Sequence, residues 1–214
     1  MNLTETDLMA AAAAVSAIWM CGVTGVQTQL RGLALQTVAL SAICVLVGIQ
    51  EHVWRYYVLA AVILGVKAVG IPAFLGWAAN RIGVRRDTGA YVGPAIGLVI
   101  GFAVLVASLL AGRELTDQSV HGGGASGMAI ALLFIGMLLM ITRRLAISQL
   151  IGLLTMENGI LLFGLTQTRG MPLIVEMGAV FEILVGVLIG GLVIFRLNRS
   201  FEHIDVTDLR RLRR

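Results

Sequence analysis

The chain has 214 residues, of which 58% are hydrophobic and 13% are charged, with a formal net charge of +4. Soluble domains carry about 25% charged residues, so this composition excludes an ordinary soluble protein. Apolar runs of about 20 residues, each long enough to cross a hydrocarbon core of about 30 Å, recur along the whole sequence. Basic and aromatic residues are not interleaved in the way that indicates nucleic-acid binding. The sequence therefore predicts an all-α, polytopic membrane protein in contact with the lipid bilayer.

The apolar runs divide into seven predicted transmembrane helices, at 7–27, 33–50, 56–79, 91–111, 126–142, 145–167 and 172–195. Short polar connections such as QTQLR and TRR separate them, and only the fourth connection is long. We therefore predict four parts: a four-helix N-terminal membrane part (1–111), a flexible external loop (112–125), a three-helix membrane module (126–195) and a basic cytoplasmic tail (196–214).

Arginine is concentrated on one side of these spans. Cytoplasmic loops carry an excess of Lys and Arg. With the N-terminus outside, the cytoplasmic side holds Arg31, Arg81, Arg85, Arg86, Arg143, Arg144, Arg196, Arg199, Arg210, Arg211, Arg213 and Arg214, and the other side holds Arg55, Arg113 and Arg169. This distribution predicts an odd number of helices, with the N-terminus outside and the C-terminus in the cytoplasm.

The sequence offers no cofactor site, metal site or catalytic residue. Cys21 and Cys44 both lie in apolar helices, and an iron–sulfur cluster needs about four ligands. No nucleophile–base pair or nucleotide-binding loop is visible. We therefore expect no cofactor and no independent enzyme, and any redox chemistry belongs to partner proteins.

Glycine and proline mark two of the predicted helices. Gly93, Gly97 and Gly101 repeat every fourth residue in the fourth span, a spacing that lets helix backbones approach closely. We expect tight packing there, either within the subunit or against a neighbour. Pro72 falls inside the third span, five residues after Lys67, where it should kink the helix or free a backbone carbonyl.

Four ionisable side chains fall inside the predicted spans: Lys67, Glu157, Glu176 and Glu182. A charged group at mid-depth costs about 2.5 kcal/mol or more, so such groups are functional candidates. A low dielectric also favours the neutral form of a carboxylic acid, which suits a group that takes up and releases protons. We predict that these four residues form a proton relay, supported by the polar side chains Asn158 and Gln149.

The depth of these groups leaves alternatives open. Glu157 and Glu182 lie near the middle of two neighbouring antiparallel helices, whereas Glu176 lies near the outer end, where the helix dipole favours an anion. The two central acids could instead be hydrogen-bonded groups that tie helices together. Lys67 could be the ion-pair partner of a glutamate or part of a separate hydrated path.

The last three predicted helices resemble the NuoK family, the small three-helix subunit of respiratory complex I. The resemblance runs from about 127 to 206 and is carried by RRLAISQLIGLLTMENGILLF, FEILVGVLIGGLVIF and HIDVTDLRRLR. It implies that the last two helices each use a membrane-embedded glutamate in proton movement. Glu182 falls on the family's position in the last helix. In the helix before it, the alignment puts the family's glutamate at Leu154, with Glu157 one turn, about 4.5 Å, further along.

The whole chain, with four helices ahead of this module and the words TMENGI, resembles the HyfE family, the membrane subunits of hydrogenase 4 and formate hydrogenlyase-type complexes. The resemblance implies a place beside antiporter-like and other membrane subunits of a complex I-like arm. A peripheral hydrogenase or related oxidoreductase module would be attached elsewhere in that complex. It also implies a location in the cytoplasmic membrane of a bacterium or archaeon.

The leading hypothesis is therefore a non-catalytic, proton-translocating subunit of a complex I-like respiratory or hydrogen-evolving complex. One alternative is a structural spacer that packs antiporter-like subunits against the rest of the arm. Another is an independent carrier or a subunit of a multisubunit Na+/H+ antiporter.

Overall fold

The computed structural model describes residues 5–83, 86–87, 89–114 and 123–167. Within these ranges the chain forms six helices: α1 (Glu5–Cys21), α2 (Val26–Glu51), α3 (Arg55–Val62, Ile63–Gly70 and Ile71–Ile82 in unbroken succession), α4 (Pro94–Glu114), α5 (Gly123–Thr142) and α6 (Ala146–Gln167). The predicted seventh helix, 172–195, and the tail, 196–214, lie outside the described residues. The count of seven and the orientation therefore stay predictions.

Five of the described helices are long and apolar enough to cross a membrane: Val26–Glu51, Arg55–Arg81, Pro94–Arg113, Gly124–Thr142 and Ala146–Gln167. The described part of the chain is all-helical, and its five apolar helices are consistent with a multi-pass membrane protein, as the sequence predicted. Helices on both sides of 112–125 pack against each other, because α1 contacts α5 and α2 contacts α6. The proposed division at this loop stays a prediction about the chain's organisation.

Exposed aromatic side chains lie at the helix ends. Trp54, 69% exposed, lies in the turn between α2 and α3. At the other end of α3, Arg81 lies over the ring of Trp77, with its Cζ 6.0 Å from the ring centroid. Trp and Tyr favour the two membrane–water interfaces, so these positions fit the ends of spans.

The first turn of the bundle lies earlier than the sequence predicted. The first span was predicted to reach residue 27, with QTQLR as a connection, but α1 ends at Cys21 and α2 begins at Val26, so QTQLR is helical. Gln29 is buried, and its Nε2 donates a hydrogen bond of 3.0 Å to the carbonyl oxygen of Val23 in the turn. The prediction was wrong because a polar side chain was taken as solvated, whereas the amide nitrogen of Gln29 donates to the turn backbone inside the bundle.

The hydrogen-bond pattern of α3 changes next to Pro72. Residues Ile63–Gly70 form a π-helix, and the N–H of Ile71 bonds to the carbonyl of Val66, five residues back. Pro72 lies in the first turn of the α-helical part that follows and has no N–H of its own. The disturbance predicted around Pro72 takes the form of this π-helical segment. Lys67 lies within it, and such segments are frequent at functional sites.

Glycines bring α5 and α6 into backbone contact. A methyl group added at Gly159 would lie 2.6 Å from the backbone nitrogen of Leu133, and one added at Gly152 would lie 2.9 Å from the carbonyl oxygen of Gly136. Packing this close leaves no room for a side chain at either glycine. It therefore fixes the rotation of α6 about its axis, and with it the direction of Glu157.

The predicted glycine contacts of the fourth span form within the chain. A methyl group added at Gly97 would lie 2.8 Å from the carbonyl oxygen of Cys21, and one at Gly101 would lie 3.3 Å from the Cys21 sulfur. Nothing lies within 4 Å of a methyl group placed at Gly93. Of the two predicted possibilities, packing within the subunit is confirmed for Gly97 and Gly101.

Two charged side chains hold α1 and α5 parallel to each other. Asp7, in the first turn of α1, accepts a hydrogen bond of 2.9 Å from the backbone N–H of Ala125 at the start of α5. Arg143, directly after α5, reaches back to the end of α1. Its Nη2 donates to three backbone carbonyl oxygens, those of Met20 at 3.0 Å, Cys21 at 3.0 Å and Val23 at 2.9 Å. Each helix end thus receives the charge that its unpaired backbone groups favour.

Candidate functional site

A lysine–glutamate ion pair lies inside the bundle. The Nζ of Lys67 is 3.2 Å from the Oε1 of Glu157, and the two side chains are 1% and 7% exposed. Lys67 comes from the π-helical part of α3, and Glu157 comes from the middle of α6. Of the roles predicted for Lys67, the structure shows the ion pair with a glutamate. Because both groups have lost their hydration, each charge depends on the other.

Buried polar side chains extend this pair across the bundle. Asn158 Nδ2 donates a hydrogen bond of 3.2 Å to Gln36 Oε1 on α2. Gln36 Nε2 in turn lies 3.6 Å from the sulfur of Met20 on α1. Asn158 and Gln36 are both 0% exposed. We call Lys67, Glu157, Asn158 and Gln36 the central row, which joins α3, α6 and α2 in the interior.

The central row is not saturated with hydrogen bonds. Glu157 Oε2 and Asn158 Oδ1 are buried, and neither has a hydrogen-bond partner anywhere in the described ranges. Buried polar atoms are nearly always bonded to protein or to ordered water, and a carboxylate can accept several bonds. Both atoms can therefore accept a further hydrogen bond, and the carboxylate oxygen of Glu157 can also take up a proton.

Of the other predicted relay residues, two lie outside the described part of the chain and one lies away from the row. Glu176 and Glu182 lie outside the described residues, so the acid pair of Glu157 with Glu182 stays a prediction. Gln149 is exposed, and its Nε2 donates a hydrogen bond of 2.9 Å to the carbonyl oxygen of Arg143 at the start of α6. The structure does not bring Gln149 and Glu157 together.

A second group of buried polar side chains lies where the α1–α2 and α5–α6 turns meet. We call it the turn-side cluster, and its members are Asp87, Arg143, Gln29 and Ser148, which are 1%, 3%, 1% and 1% exposed. Arg143 and Gln29 both donate to the carbonyl oxygen of Val23. The backbone N–H of Asp87 donates a hydrogen bond of 2.8 Å to the carbonyl oxygen of Thr24. Burial lowers the pKa of the Arg143 guanidinium, and the nearby negative charge of Asp87 opposes that shift.

Sequence reasoning missed this cluster. Asp87 falls in NRIGVRRDTG, which was taken as a polar connection, and Arg143 was counted only as a topology signal. Its neighbour Arg144 is exposed, and the Cζ of Arg144 lies 4.3 Å from the ring centroid of Tyr91. The local sequence gives no reason why Arg143 should be buried and Arg144 exposed. The one signal lies at the end of α1, where GVTG supplies no cation for the last carbonyls and their partners must come from elsewhere.

The buried polar groups that the structure describes include some that can exchange protons. Among the side chains that the structure describes, no group of three or more His, Cys, Asp or Glu residues converges in the manner of a metal site. The buried groups present are carboxylates, an ammonium, a guanidinium and neutral amides and hydroxyls. Carboxyl and ammonium groups exchange protons, and amides and hydroxyls can hold water between them.

Comparison with known proteins places the chain in a family. It is 30% identical to the uncharacterised protein Rv0085 of Mycobacterium tuberculosis over 188 residues, which are 86% of this chain and 84% of the mycobacterial protein. No protein-family model matches the chain, and no solved structure matches it. The chain belongs to the same family as the mycobacterial protein.

Proposed function

We propose that this relative of the mycobacterial protein is a non-catalytic subunit of a complex I-like respiratory or hydrogen-evolving complex, in which it takes part in proton translocation. The observation that carries the proposal is the Lys67–Glu157 ion pair buried in the bundle. The sequence motifs that resemble the HyfE family suggest which complex the subunit belongs to. That complex is of the hydrogenase 4 or formate hydrogenlyase type, in a bacterial or archaeal cytoplasmic membrane, with antiporter-like subunits beside the chain and an oxidoreductase module attached to the complex.

The ion pair supports this proposal because each charge controls the proton affinity of the other. When a proton reaches Glu157, the carboxyl becomes neutral and Lys67 loses its counter-charge. A buried, uncompensated ammonium is strongly disfavoured, so Lys67 then releases its proton onward. Glu157 Oε2 has no hydrogen-bond partner in the described residues, so a proton can arrive there without first breaking the 3.2 Å contact at Oε1. In this proposal Glu182 and Glu176 continue the relay beyond the described residues.

Glu157→Gln tests the proposal because the amide keeps the shape of the side chain but carries no transferable proton. We expect protons translocated per turnover to fall about tenfold or more, in line with the loss of a proton-transferring group, while the complex still assembles. The measurement is proton translocation in membrane vesicles, with assembly followed by co-purification. Glu5→Gln, which removes an exposed acid of α1, is the matched control. Unchanged coupling in Glu157→Gln would contradict the relay.

A second candidate, the structural spacer, is favoured by the surface of α4. Only 17% of the residues in the apolar stretch of α4 are buried. Val99 and Phe102 on this helix are 69% and 61% exposed. A groove of about 470 Å³ between α4 and α5 is lined by apolar residues that include Val104, Ile130 and Phe134. Apolar faces of this kind contact either lipid or a neighbouring subunit.

Val99→Trp separates the spacer from the relay. A spacer should lose assembly with this bulky change on the α4 surface and should translocate protons normally with Glu157→Gln. Gly97 is unsuitable for this test because it contacts Cys21 inside the chain. Mass spectrometry of co-purifying proteins addresses the antiporter alternative, since a hydrogenase-type complex should bring an oxidoreductase module and an antiporter should not.

A further inference from the structure

Buried polar atoms without a hydrogen-bond partner occur at two places in the described part of the chain. Two of these atoms belong to the central row. The other four belong to the turn-side cluster: both carboxylate oxygens of Asp87, the amide oxygen of Gln29 and the hydroxyl of Ser148. Such atoms are uncommon in folded proteins because a buried polar atom that stays unbonded is destabilising. Four of them at one end of the bundle therefore indicate bound water or a bound proton.

Asp87 is held in the bundle by its backbone rather than by its side chain. Its N–H bonds to the carbonyl of Thr24, and the residue before it, Arg86, forms an isolated antiparallel bridge with Gly25. The hydrogen bonds of the Arg143 guanidinium in the described residues go to backbone carbonyls of the α1 end. Asp87 is 1% exposed, and neither of its carboxylate oxygens has a hydrogen-bond partner among the described residues.

Buried polar residues on α2 and α6 lie both at the level of the cluster and at the level of the central row. On α2, Gln29 and Gln36 are seven residues apart, which is two turns on one helix face and about 10.5 Å along the axis. On α6, Ser148 and Thr155 repeat the same spacing, and Glu157 and Asn158 follow directly. All of these residues are buried, at 5% exposure or less for the whole residue. Because α2 packs against α6, the two sets of residues lie in the interior of the bundle.

We propose that the turn-side cluster is a hydrated proton-exchange site in which Asp87 is the carboxylate that loads the central row. A hydronium ion from the water at the turn side gives one proton to Asp87, so that an O–H bond of the hydronium breaks and a carboxyl O–H bond forms. Asp87 then passes this proton to water held by Gln29 and Ser148, and from there it reaches Glu157. The transfer needs no redox partner. This inference rests on the proposed function, since it names the entrance to the same relay.

Thiol accessibility tests the hydration of the cluster without relying on the activity of a complex. The full chain, with Cys21→Ala and Cys44→Ala, carries either Ser148→Cys or the control Leu154→Cys, which lies on the same helix at 0% exposure. A small, charged, membrane-impermeant methanethiosulfonate is applied to each face of membrane vesicles in turn. We expect the Ser148→Cys chain to react at least about tenfold faster than the control, and from one face only. Equal slow reaction of the two chains from both faces would overturn the hydrated site.

Asp87→Asn tests the loading role, measured beside Glu157→Gln and Asp87→Glu in the complete complex. We expect proton translocation to fall about tenfold in Asp87→Asn and to be largely retained in Asp87→Glu, which keeps the carboxyl. Loss of translocation in Glu157→Gln with normal translocation in Asp87→Asn would overturn this inference and leave the proposed function standing. Normal translocation in Glu157→Gln would remove the proposed function and the loading role together. If Asp87→Asn fails to assemble, the thiol measurement decides.

Discussion

Two buried cations, Arg143 and Lys67, have opposite surroundings. Both side chains are almost inaccessible, at 3% and 1% exposure. The Arg143 guanidinium donates to three carbonyl oxygens at the end of α1, whereas Lys67 has Glu157 as its one partner in the described residues. A guanidinium that caps a helix end has no proton to give up, because its pKa stays far above neutrality. The comparison separates a cation bonded to fixed backbone carbonyls from one paired with a carboxylate, and only the second takes part in the proposed relay.

The largest expected effect is on stability, from Arg143→Met. The change leaves three carbonyls of the α1 end without their donor and removes the positive charge near Asp87. Hydrogen bonds to charged groups are each worth about 1.5–3 kcal/mol, so we expect the free energy of unfolding to fall by about 4 kcal/mol or more. The measurement is reversible unfolding of the full chain by SDS titration.

The neighbouring residue supplies the control for this prediction. Arg144→Met removes an exposed cation and its contact with Tyr91, which is worth about 1 kcal/mol or less. Equal losses in the two arginine variants would contradict the stabilising role of Arg143.

Lys67→Met should lower the free energy of unfolding by less than Arg143→Met. A second substitution, at Glu157, should restore most of that loss. Removing one partner of a buried ion pair costs about 3 kcal/mol or more, because the other is left uncompensated. The double variant Lys67→Met/Glu157→Gln removes both charges, and we expect its free energy of unfolding to return to within about 1 kcal/mol of the parent. A double-mutant cycle measures this coupling. Additive losses would mean that the two side chains do not depend on each other.

Gly97→Ala should cause the smallest loss of stability. It should disturb the surroundings of Arg143 and leave those of Lys67 unchanged. The added methyl group would press on the carbonyl oxygen of Cys21, which is one of the three acceptors of Arg143. Forcing extra volume into a packed interface costs about 1–3 kcal/mol. Gly93→Ala is the matched control, since nothing lies within 4 Å of its added methyl group. Similar thermal stability of the two variants would contradict the close contact of α4 with α1.

Hydropathy and residue type predicted much of the fold and half of the candidate site. The helix positions follow from apolar runs, because the hydrocarbon core requires such lengths. Glu157 and Lys67 stood out because ionisable residues are costly inside a span. Their partnership was one of several alternatives, since it depends on how α3 and α6 are rotated. The glycine contacts of α6 and the π-helical segment of α3 set that rotation, and neither can be derived from hydropathy.

The turn-side cluster could not be predicted because its residues lie in segments that look like loops. Asp87 and Arg143 are polar residues beside other polar residues, and a connection of this kind is normally solvated. Here the carbonyls at the end of α1 need donors, which draws the Arg143 side chain inward. The backbone hydrogen bond from Asp87 to Thr24 holds Asp87 at the same place. Leu154 makes the converse point. The NuoK-like alignment puts an acid there, yet this position is an apolar residue at 0% exposure, and the acid of this chain lies one turn further along.

The hold of Arg143 on α1 has a consequence for biosynthesis. Arg143 is 120 to 123 residues away from the carbonyls that it binds. At a synthesis rate of about 5–20 residues per second, α1 leaves the ribosome roughly 6–25 seconds before its capping side chain exists. During that interval the end of α1 must rely on water, lipid headgroups or the insertion machinery. The first helix of this protein is therefore among the last to be secured, and a chain that stops before the α5–α6 turn should be recognised and degraded as unfinished.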